Sequence, residues 1–439
     1  MTRALASSAR SAPLVLALGV ALGACASSGA MRAASHGDFA SLKNDVAARE
    51  RAGTLGNHEA AQIARAVAEW EIANAPKDEQ VARVRDVRSC AREVEGALGD
   101  RARTHDAAGA ESALALVEAG AWSAGSARDS VADKDDAWRA VGARGLVREG
   151  DDAVARAHAF VDPGPAVRRA AMHAAAIAKD PHDVDALAEA ARLDPEPIVR
   201  TDATRALGAI GGAPAFTKLR DLWTSADDAQ REDIASAYAA PATFAAGGRD
   251  ELRVLLAADH GPAAIEAAGA VLRAPTRDAE LDSSATALLA RSIAKSSRRD
   301  RLHAITVAPF TSTGPIIDAL RAAAVDGDLT VRIAVLGRLA GHTADHDASV
   351  AALEALAAPA SKSNAVLASR ARLALAAAGD LRIQAWLESD LASPDSTSRL
   401  SAATALSTLG RAARAAPLLA DPDAGVRTRA ACTILVGAR

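Results

Sequence analysis

A short motif centred on an arginine recurs along this chain. An Asp or Ser, often followed by Pro, stands six residues before the Arg, and a Val often precedes that Arg. The clearest copies begin at Asp162, Asp194 and Asp421. Successive copies lie 28 to 38 residues apart, with one irregular unit around Asp300 and Arg301. Recurrence at this period is typical of repeat proteins, in which each unit buries its apolar face against its neighbours.

Residues 194–211 indicate what one unit folds into. Asp194 is a good N-cap, and Pro195 suits the first helical position because its missing N–H costs nothing there. Apolar residues then follow on one helix face, at Val199, Ala203, Leu207 and Ile210. Two glycines end this helix, and a second apolar pattern covers residues 216–223. Each unit is therefore predicted to be a helix, a turn and a second helix.

The apolar content favours helices alone. Apolar residues make up 50% of the chain but aromatic residues only 3%, so most of the apolar content is alanine, with leucine and valine. Alanine is the best helix former. Runs of the β-branched and aromatic residues that favour strands are nearly absent. The chain is predicted to be all-α.

The pattern D-P-x-x-x-V-R-x-x-A-x-x-A-L resembles the HEAT repeat, especially the short bacterial HEAT-like type also found in phycobilin lyases. The best copies are residues 162–178, 194–211 and 421–435. The resemblance implies a right-handed α-solenoid of roughly ten stacked helical hairpins over residues 133–439. Residues 37–132 are then an N-terminal helical region that admits degenerate repeats.

The repeat arginine lies one position past the buried valine, at the edge of the apolar stripe. From there its guanidinium can reach an Asp at the start of its own or an adjacent repeat. In HEAT families such pairs tie repeats together, and the resemblance implies the same ladder here. Its members are Asp133, Arg139, Asp162, Arg168, Asp194, Arg200, Asp326, Arg332, Asp421 and Arg427. A row of arginines facing an anionic ligand is the alternative, but the regular Asp partner favours the structural role.

Residues 1–24 have the features of a secretory signal. Arg3 and Arg10 accompany an apolar run up to residue 24, which is too short to be read as a membrane-spanning helix. We therefore expect residues 1–24 to be removed.

The last residues of this segment, Leu22-Gly23-Ala24-Cys25, resemble the lipobox of bacterial lipoproteins. The resemblance implies cleavage between Ala24 and Cys25 and a covalent lipid on the Cys25 thiol. Residues 25–36 are then a lipidated flexible tether. Because Ala26 rather than Asp follows the cysteine, anchoring to the outer membrane is expected over the inner membrane.

Cys90 and Cys432 are expected to remain unpaired. In an open array whose helices stack about 10 Å apart, they lie many tens of ångströms apart, whereas a disulfide needs Cα atoms within about 7 Å. The chain also ends directly after the final Val-Arg helix. The apolar face with Ala430, Ile434 and Leu435 is therefore expected to be partly uncovered, which favours self-association through the C-terminal repeat.

Two histidines form the one weak candidate for a metal site. His342 and His346 would share a helix face, but the glutamate of an H-E-x-x-H motif is missing and the pair falls in a predicted turn. A solvated polar turn is therefore preferred, and no metal is predicted. The nearby-spaced Asp133, Asp135 and Asp136 lack the glycine and distal glutamate of a calcium loop and are expected to cap a helix.

The sequence predicts a binding protein rather than an enzyme. It contains no G-x-S-x-G, P-loop or dinucleotide fingerprint, so no catalytic residue and no cofactor beyond the lipid are predicted. A net charge of −4 without a basic stripe argues against a nucleic-acid partner. The prediction is a membrane-anchored scaffold of the cell envelope that binds a protein or peptide on the solenoid surface.

Two alternatives stay open. One is a lyase-like or small-ligand-handling HEAT protein, which would need a deep pocket with convergent polar groups. The other is a structural subunit of a larger envelope complex. HEAT arrays serve many unrelated partners, so the fold does not name the partner.

Overall fold

A computed structural model describes residues 29–122, 129–146, 153–258, 261–311, 314–358 and 365–438. These residues form helices and turns without a strand, which confirms the all-α prediction. The N-terminal helices are α1 (Gly29–Ser35), α2 (Phe39–Ala52), α3 (Asn57–Asn74), α4 (Gln80–Asp86), α5 (Glu95–Ala102) and α6 (Ala107–Ala119), with a 3₁₀ turn at Arg88–Cys90.

From residue 136 onward the helices alternate between two layers. The inner layer contains α7 (Asp136–Gly145), α9 (Pro165–Ala178), α11 (Pro197–Ile210), α13 (Asp228–Tyr238), α15 (Pro262–Arg273), α17 (Arg298–Val307), α19 (Leu329–Leu339), α21 (Ala365–Ala377), α23 (Ser396–Thr408) and α24 (Ala424–Gly437). The outer layer contains α8 (Ala153–Phe160), α10 (Val184–Leu193), α12 (Gly212–Leu222), α14 (Arg249–Ala257), α16 (Ala279–Lys295), α18 (Pro315–Ala323), α20 (His346–Ala357), α22 (Gln384–Asp390) and the 3₁₀ segment Ala412–Ala420.

The two layers differ in how closely their helices pack. Each inner helix packs against the next inner helix without a break from α7 to α24, whereas contacts between successive outer helices are sparser and interrupted. Curvature brings helices together on the concave side of a stack and separates them on the convex side. The inner layer therefore forms the concave face of an α-solenoid, as the repeat pattern predicts.

The repeat aspartate lies two residues before the helix N-cap, not at the N-cap as expected. The helix predicted to start behind Asp194 begins at Pro197, and its N-cap is Glu196. The Asp194 carboxylate accepts a hydrogen bond from the backbone N–H of Glu196 (3.0 Å) instead of capping the helix. Asp133, Asp162, Asp326 and Asp421 each accept a hydrogen bond from the N–H two residues later in the same way. Their carboxylates remain available to a neighbouring repeat.

Arginines of the preceding repeat bind four of these carboxylates, whereas that of Asp133 lies 3.4 Å from His105. Arg168 donates through Nε and Nη2 to Asp194 at 2.6 and 2.9 Å. The same arginine donates through Nη1 to the backbone carbonyl of Asp162, at the start of its own repeat (2.8 Å). Each repeat arginine of this kind therefore joins two repeats.

Other members of the predicted ladder vary around this arrangement. Arg139 binds Asp162 at 2.7 Å, and Arg200 lies 3.9 Å from Asp227 rather than against a predicted partner. Asp326 pairs with Arg301 at 2.5 Å, and Asp421 pairs with Arg399 at 2.8 Å. Arg332, also a predicted member, has its Nε buried without a hydrogen-bond partner in the described part of the chain.

The last inner helix closes the solenoid onto its own N-terminal region. α24 packs against α3, α4 and the 3₁₀ turn Arg88–Cys90, and α4 continues the inner layer to α6 and α7. Cys90 and Cys432 form a disulfide with Cα atoms 5.4 Å apart. The expectation of two distant, unpaired cysteines is therefore wrong, because it assumed an open array, whereas the inner layer forms a closed ring.

α3 completes the final repeat. α3, from the N-terminal region, packs against α24 and against the 3₁₀ segment Ala412–Ala420, and so takes the place of an outer helix there. Ala430 and Ile434 are fully buried and Leu435 is 4% exposed. The prediction of an uncovered C-terminal face is therefore wrong, and the surface proposed for self-association is already occupied within the chain.

Polar contacts seal the same junction. Arg427, the last repeat arginine, pairs with Glu71 at the end of α3 at 2.6 Å, so a glutamate from the N-terminal region replaces the aspartate of a following repeat. At the other end of α3, the Asn57 side chain donates to the carbonyl of Gly410 and accepts from the N–H of Ala413. We call this junction the seam.

Helical structure begins closer to the N-terminus than expected. Gly29–Ser35 form α1, which packs on α2 and α3 and buries Ala30, Ala33 and Ala34, so the flexible tether expected over residues 25–36 does not extend across them. Ala24, Cys25 and the signal segment lie outside the described residues. Within the described ranges, no helix is both long enough and apolar enough to cross a bilayer.

Candidate binding surface

The concave face is formed by residues that follow each repeat arginine at fixed offsets. Arg169 and His173 follow Arg168 by one and five positions, and Asp202 and Arg205 follow Arg200 by two and five. These offsets lie on one side of a helix, away from the apolar stripe. The inner helices thus present a polar strip to the concave side at positions that the repeat motif leaves variable.

A buried carboxylate links three inner helices. The Asp202 side chain is 4% exposed and accepts a hydrogen bond from Arg169 at 2.9 Å, with His173 at 3.5 Å. Burial raises the pKa of Asp202, but hydrogen bonds from His173 and Arg169 outweigh it and hold the pKa below its usual value. Arg205 then bridges from Asp202 to Asp233 on α13, at 3.9 and 2.9 Å. This network ties α9, α11 and α13 together on their concave side.

A second network joins α15 to α17. Glu266 lies 3.1 Å from His303 and 3.0 Å from Arg273. The hydrogen bond from His303 is the largest contribution that holds the pKa of Glu266 below its usual value. Apart from Asp233 Oδ2, which is buried without a hydrogen-bond partner in the described ranges, the charged groups of both networks pair with one another. Their main consequence is to hold neighbouring helices in register.

A third cluster lies next to the seam. Arg88 donates two hydrogen bonds to Glu118 and lies 3.5 Å from Glu111, which also pairs with Arg85 at 3.3 Å. The bond to Glu118 raises the pKa of Arg88. Arg144 lies 3.7 Å from Glu118, and burial lowers the pKa of its guanidinium. Nη1 of Arg144 is buried and has no hydrogen-bond partner in the described part of the protein.

Two adjoining clefts open on this part of the concave face. The larger, of about 750 Å³, lies between α4, α23 and α24, and the smaller, of about 340 Å³, runs across α4, α6, α7 and α9. Arg85 lines both. We call the two clefts together the seam groove. No residue of the predicted ladder lines the seam groove, because the ladder lies at the turns between layers.

The histidine pair does not form a metal site. His342 lies 2.7 Å from Asp345, and the ring of His346 donates to the carbonyl of Ala340 (2.7 Å). Asp135 caps α7 through the N–H of Ala137, and Asp133 accepts from the N–H of Asp135. Over the described ranges, no group of three or more His, Cys, Asp or Glu side chains is arranged to hold a metal.

The seam groove is not predictable from the sequence. The concave charges could have been found from the charged residues that recur after each repeat arginine. The groove itself could not, because α4 and α24 meet there from positions more than 330 residues apart, and no local pattern specifies that meeting.

The ion pairs of the ladder are expected to make the free energy of unfolding fall as the pH becomes acidic. Hydrogen bonds from Arg168 and from the Glu196 N–H lower the pKa of Asp194, against the opposing effect of burial. Its contribution is therefore present above the usual value near 3.8 and is lost as the pH falls through the lowered folded-state value. We expect Asp194→Asn to lower the free energy of unfolding by about 2 kcal/mol at pH 7, and this difference to shrink below pH 4.

Thermal unfolding midpoints of wild type and Asp194→Asn between pH 2 and pH 7 measure the effect. Asp185→Asn is the matched control, since the Asp185 side chain is 87% exposed and has a single lysine partner. A difference between wild type and Asp194→Asn that stays constant over this pH range would contradict the role assigned to the ladder.

Comparison with known proteins identifies the repeats. The profile of HEAT repeats matches residues 128–208 and 159–239, so this chain contains HEAT repeats. No curated protein matches the chain.

Similar solved structures include human deoxyhypusine hydroxylase in complex with glycerol, with 18% identity, 67% of this chain and 97% of that chain covered, and a TM-score of 0.27. The karyopherin Kap121p bound to the extreme C-terminus of the protein phosphatase Cdc14p has 11% identity over 80% of this chain and a TM-score of 0.33. The similarity spans only 42% of the Kap121p chain. At these values, neither similarity assigns an activity or a partner.

Proposed function

We propose that this HEAT-repeat protein is a lipid-anchored scaffold of the bacterial cell envelope and that its concave face binds a protein or peptide partner without catalysis. The seam groove carries the proposal. Its two clefts have volumes of about 750 and 340 Å³ and are lined by exposed polar side chains from several helices. Partly exposed ion pairs, such as Arg169–Asp202 and Arg88–Glu118, join neighbouring elements of the inner layer at the smaller cleft, so the surface is largely preformed.

The disulfide supports the proposed location. Structural disulfides form and persist in oxidising compartments such as the bacterial periplasm and are rare in the cytosol. Cys90 and Cys432 are 0% and 3% exposed, and the bond between them joins the N-terminal region to α24. We infer export from this disulfide together with the signal-like residues 1–24. The lipid on Cys25 and its anchoring to the outer membrane are proposed from the lipobox.

Site-specific photocrosslinking in living cells tests the proposal. A photoreactive amino acid is placed at Thr404 in the larger cleft, at Ala166 in the smaller cleft, or at Val254 on outer helix α14, which is 66% exposed. We expect a protein adduct from the two concave positions in the membrane fraction and none from Val254. Equal adducts from all three positions, or none from the concave positions in any growth condition, would remove the support for a concave scaffold.

The anchor is tested in the same cells. Cys25→Ser is expected to move the protein from the membrane fraction to the soluble fraction and to abolish the mass of the lipid on the N-terminal peptide. Retention of the Cys25→Ser protein on the membrane would contradict lipid anchoring while leaving the concave adducts interpretable.

A further inference from the structure

We propose that the seam groove binds an acidic, carboxylate-rich peptide segment of the partner. This inference rests on the proposed function, since it names the chemistry of the partner at the same surface. Side chains of five arginines and three carboxylates line the groove: Arg85, Arg88, Arg144, Arg169, Arg429, Asp86, Glu111 and Glu118. The groove is therefore locally basic in a chain whose net charge is −4.

Three of these arginines lie closer to solvent than the carboxylates that they pair with. Side chains of Arg85, Arg169 and Arg429 are 65%, 43% and 46% exposed, whereas those of Glu111 and Asp86 are 12% and 22% exposed. The acids hold the arginines from beneath, and the guanidinium groups face the cleft. Because Arg groups bind carboxylates through paired N–H donors, the surface suits an anionic ligand better than its charge count alone indicates.

Arg144 adds positive charge beside the smaller cleft. Nη1 of Arg144, at the smaller cleft, is buried and lacks a hydrogen-bond partner in the described part of the chain. Its nearest carboxylate, Glu118, is 3.7 Å away and is also bound by Arg88. Glu118 therefore offsets the positive charge of Arg144 only in part.

The wall of the larger cleft favours a peptide over a small anion. The hydroxyls of Thr404, Thr408 and Thr433 each donate to a carbonyl of their own helix at 2.9 to 3.0 Å. Their oxygens therefore offer only lone pairs towards the cleft, next to the threonine methyl groups and Val436. Such a wall accepts hydrogen bonds from backbone N–H groups and packs against apolar side chains, which a peptide has and inorganic phosphate lacks.

Peptide binding to the full mature chain with its disulfide intact tests the inference. The probe is a fluorescein-labelled twelve-residue peptide of alternating Glu and Ala, compared with the equivalent Lys and Ala peptide. We expect the acidic peptide to bind, with an affinity that falls at least tenfold between 50 and 500 mM NaCl, and the basic peptide not to bind. Equal binding of both peptides would overturn the proposal.

Neutralising exposed arginines locates the binding. Arg85→Gln with Arg429→Gln leaves Glu111 paired with Arg88 and Asp86 paired with Arg83, so the fold is expected to persist. We expect at least tenfold weaker binding of the acidic peptide. The matched control is Arg277→Gln, because Arg277 is 64% exposed, has one acidic neighbour at 3.9 Å and lies outside the groove. An unchanged affinity in the double variant would overturn the proposal.

Further arms separate the sources of the anion and the two levels of the argument. Inorganic phosphate is expected not to displace the peptide at 1 mM, and full displacement would overturn a peptide site. If the double variant does not fold stably, the single variant Arg85→Gln replaces it. We then expect the affinity for the acidic peptide to fall at least threefold. If position 404 crosslinks to a partner segment that is not acidic, this inference is overturned but the proposed scaffold function is retained. If no concave position gives an adduct, the proposed scaffold function is itself contradicted.

Discussion

Replacing both Cys90 and Cys432 with alanine is expected to lower the free energy of unfolding by about 5 kcal/mol, near the upper end for one disulfide. The bond closes a loop with a sequence separation of 342 residues. In the chain-entropy account, the benefit of a disulfide grows with the logarithm of the loop that it closes in the unfolded chain. Chemical denaturation of oxidised, reduced and doubly substituted protein measures the effect.

The loss should be concentrated at the seam. Terminal repeats of an open solenoid contact only one neighbour and unfold first, and the disulfide joins the two ends that would otherwise separate. We therefore expect hydrogen exchange in α3 and α24 to accelerate more than in α11 when the bond is reduced. Reductant should have no further effect on the doubly substituted chain. Thiols that react with an alkylating agent before reduction would contradict the disulfide itself.

Replacing Arg427 with methionine is expected to cost about 3–5 kcal/mol at pH 7, because it leaves a buried carboxylate without its cation. The side chain of Glu71 is 3% exposed, and that of Arg427 is 11% exposed. Arg427 also lies over the ring of Phe39 at 4.0 Å from the centroid and donates to the carbonyl of Asp421 at 2.7 Å. One substitution therefore breaks contacts to α2, to α3 and within the last repeat.

The effect of Arg427→Met should depend on pH. Burial raises the pKa of Glu71 even with Arg427 beside it, so its neutral form persists to a higher pH in the folded chain than in the unfolded chain. Stability linked to that form is present below the usual value of 4.5 and is lost as the pH rises through the raised folded-state value. Removing the cation strengthens this dependence, so the difference between variant and wild type is expected to grow from pH 4 to pH 7.

Two further variants check the cause. Arg231→Met is the matched repeat substitution, since Arg231 is 38% exposed with its carboxylate partner 4.0 Å away, and is expected to cost at most about 1 kcal/mol. Adding Glu71→Gln to Arg427→Met should recover much of the loss, because the buried charge is then gone. Additive losses from Arg427→Met and Glu71→Gln would mean that the pair does not act as a unit.

Much of the repeat architecture is predictable from local patterns. Spacing of the apolar residues determines which face of α11 is buried, and Val199, Ala203 and Leu207 are fully buried as expected. The arginine at a constant offset from the repeat aspartate indicates contacts between repeats, and Arg168 reaches Asp194. These features depend on a few turns of helix and on the nearest neighbour, so their causes lie within about 40 residues of sequence.

Helix starts were less predictable. Asp194 has the residue type of an N-cap, but the carboxylate is drawn into hydrogen bonds with Arg168 and the Glu196 N–H, and α11 begins at the next proline, Pro197. Two positions, Pro195 and Pro197, satisfy the same local preference for proline in the first turn. The contact with the neighbouring repeat decides between them, and that contact is tertiary.

By itself, therefore, the sequence determined an all-helical repeat chain that contains HEAT repeats, because helix periodicity and repeat spacing are local properties. Only the tertiary structure decided that the chain closes on itself, with α3 packed on α24 and Cys90 bonded to Cys432. Closure depends on the small rotation between neighbouring repeats, which adds up around the whole stack. No single repeat encodes that sum, so the seam and the groove beside it become visible only when all the repeats are in place.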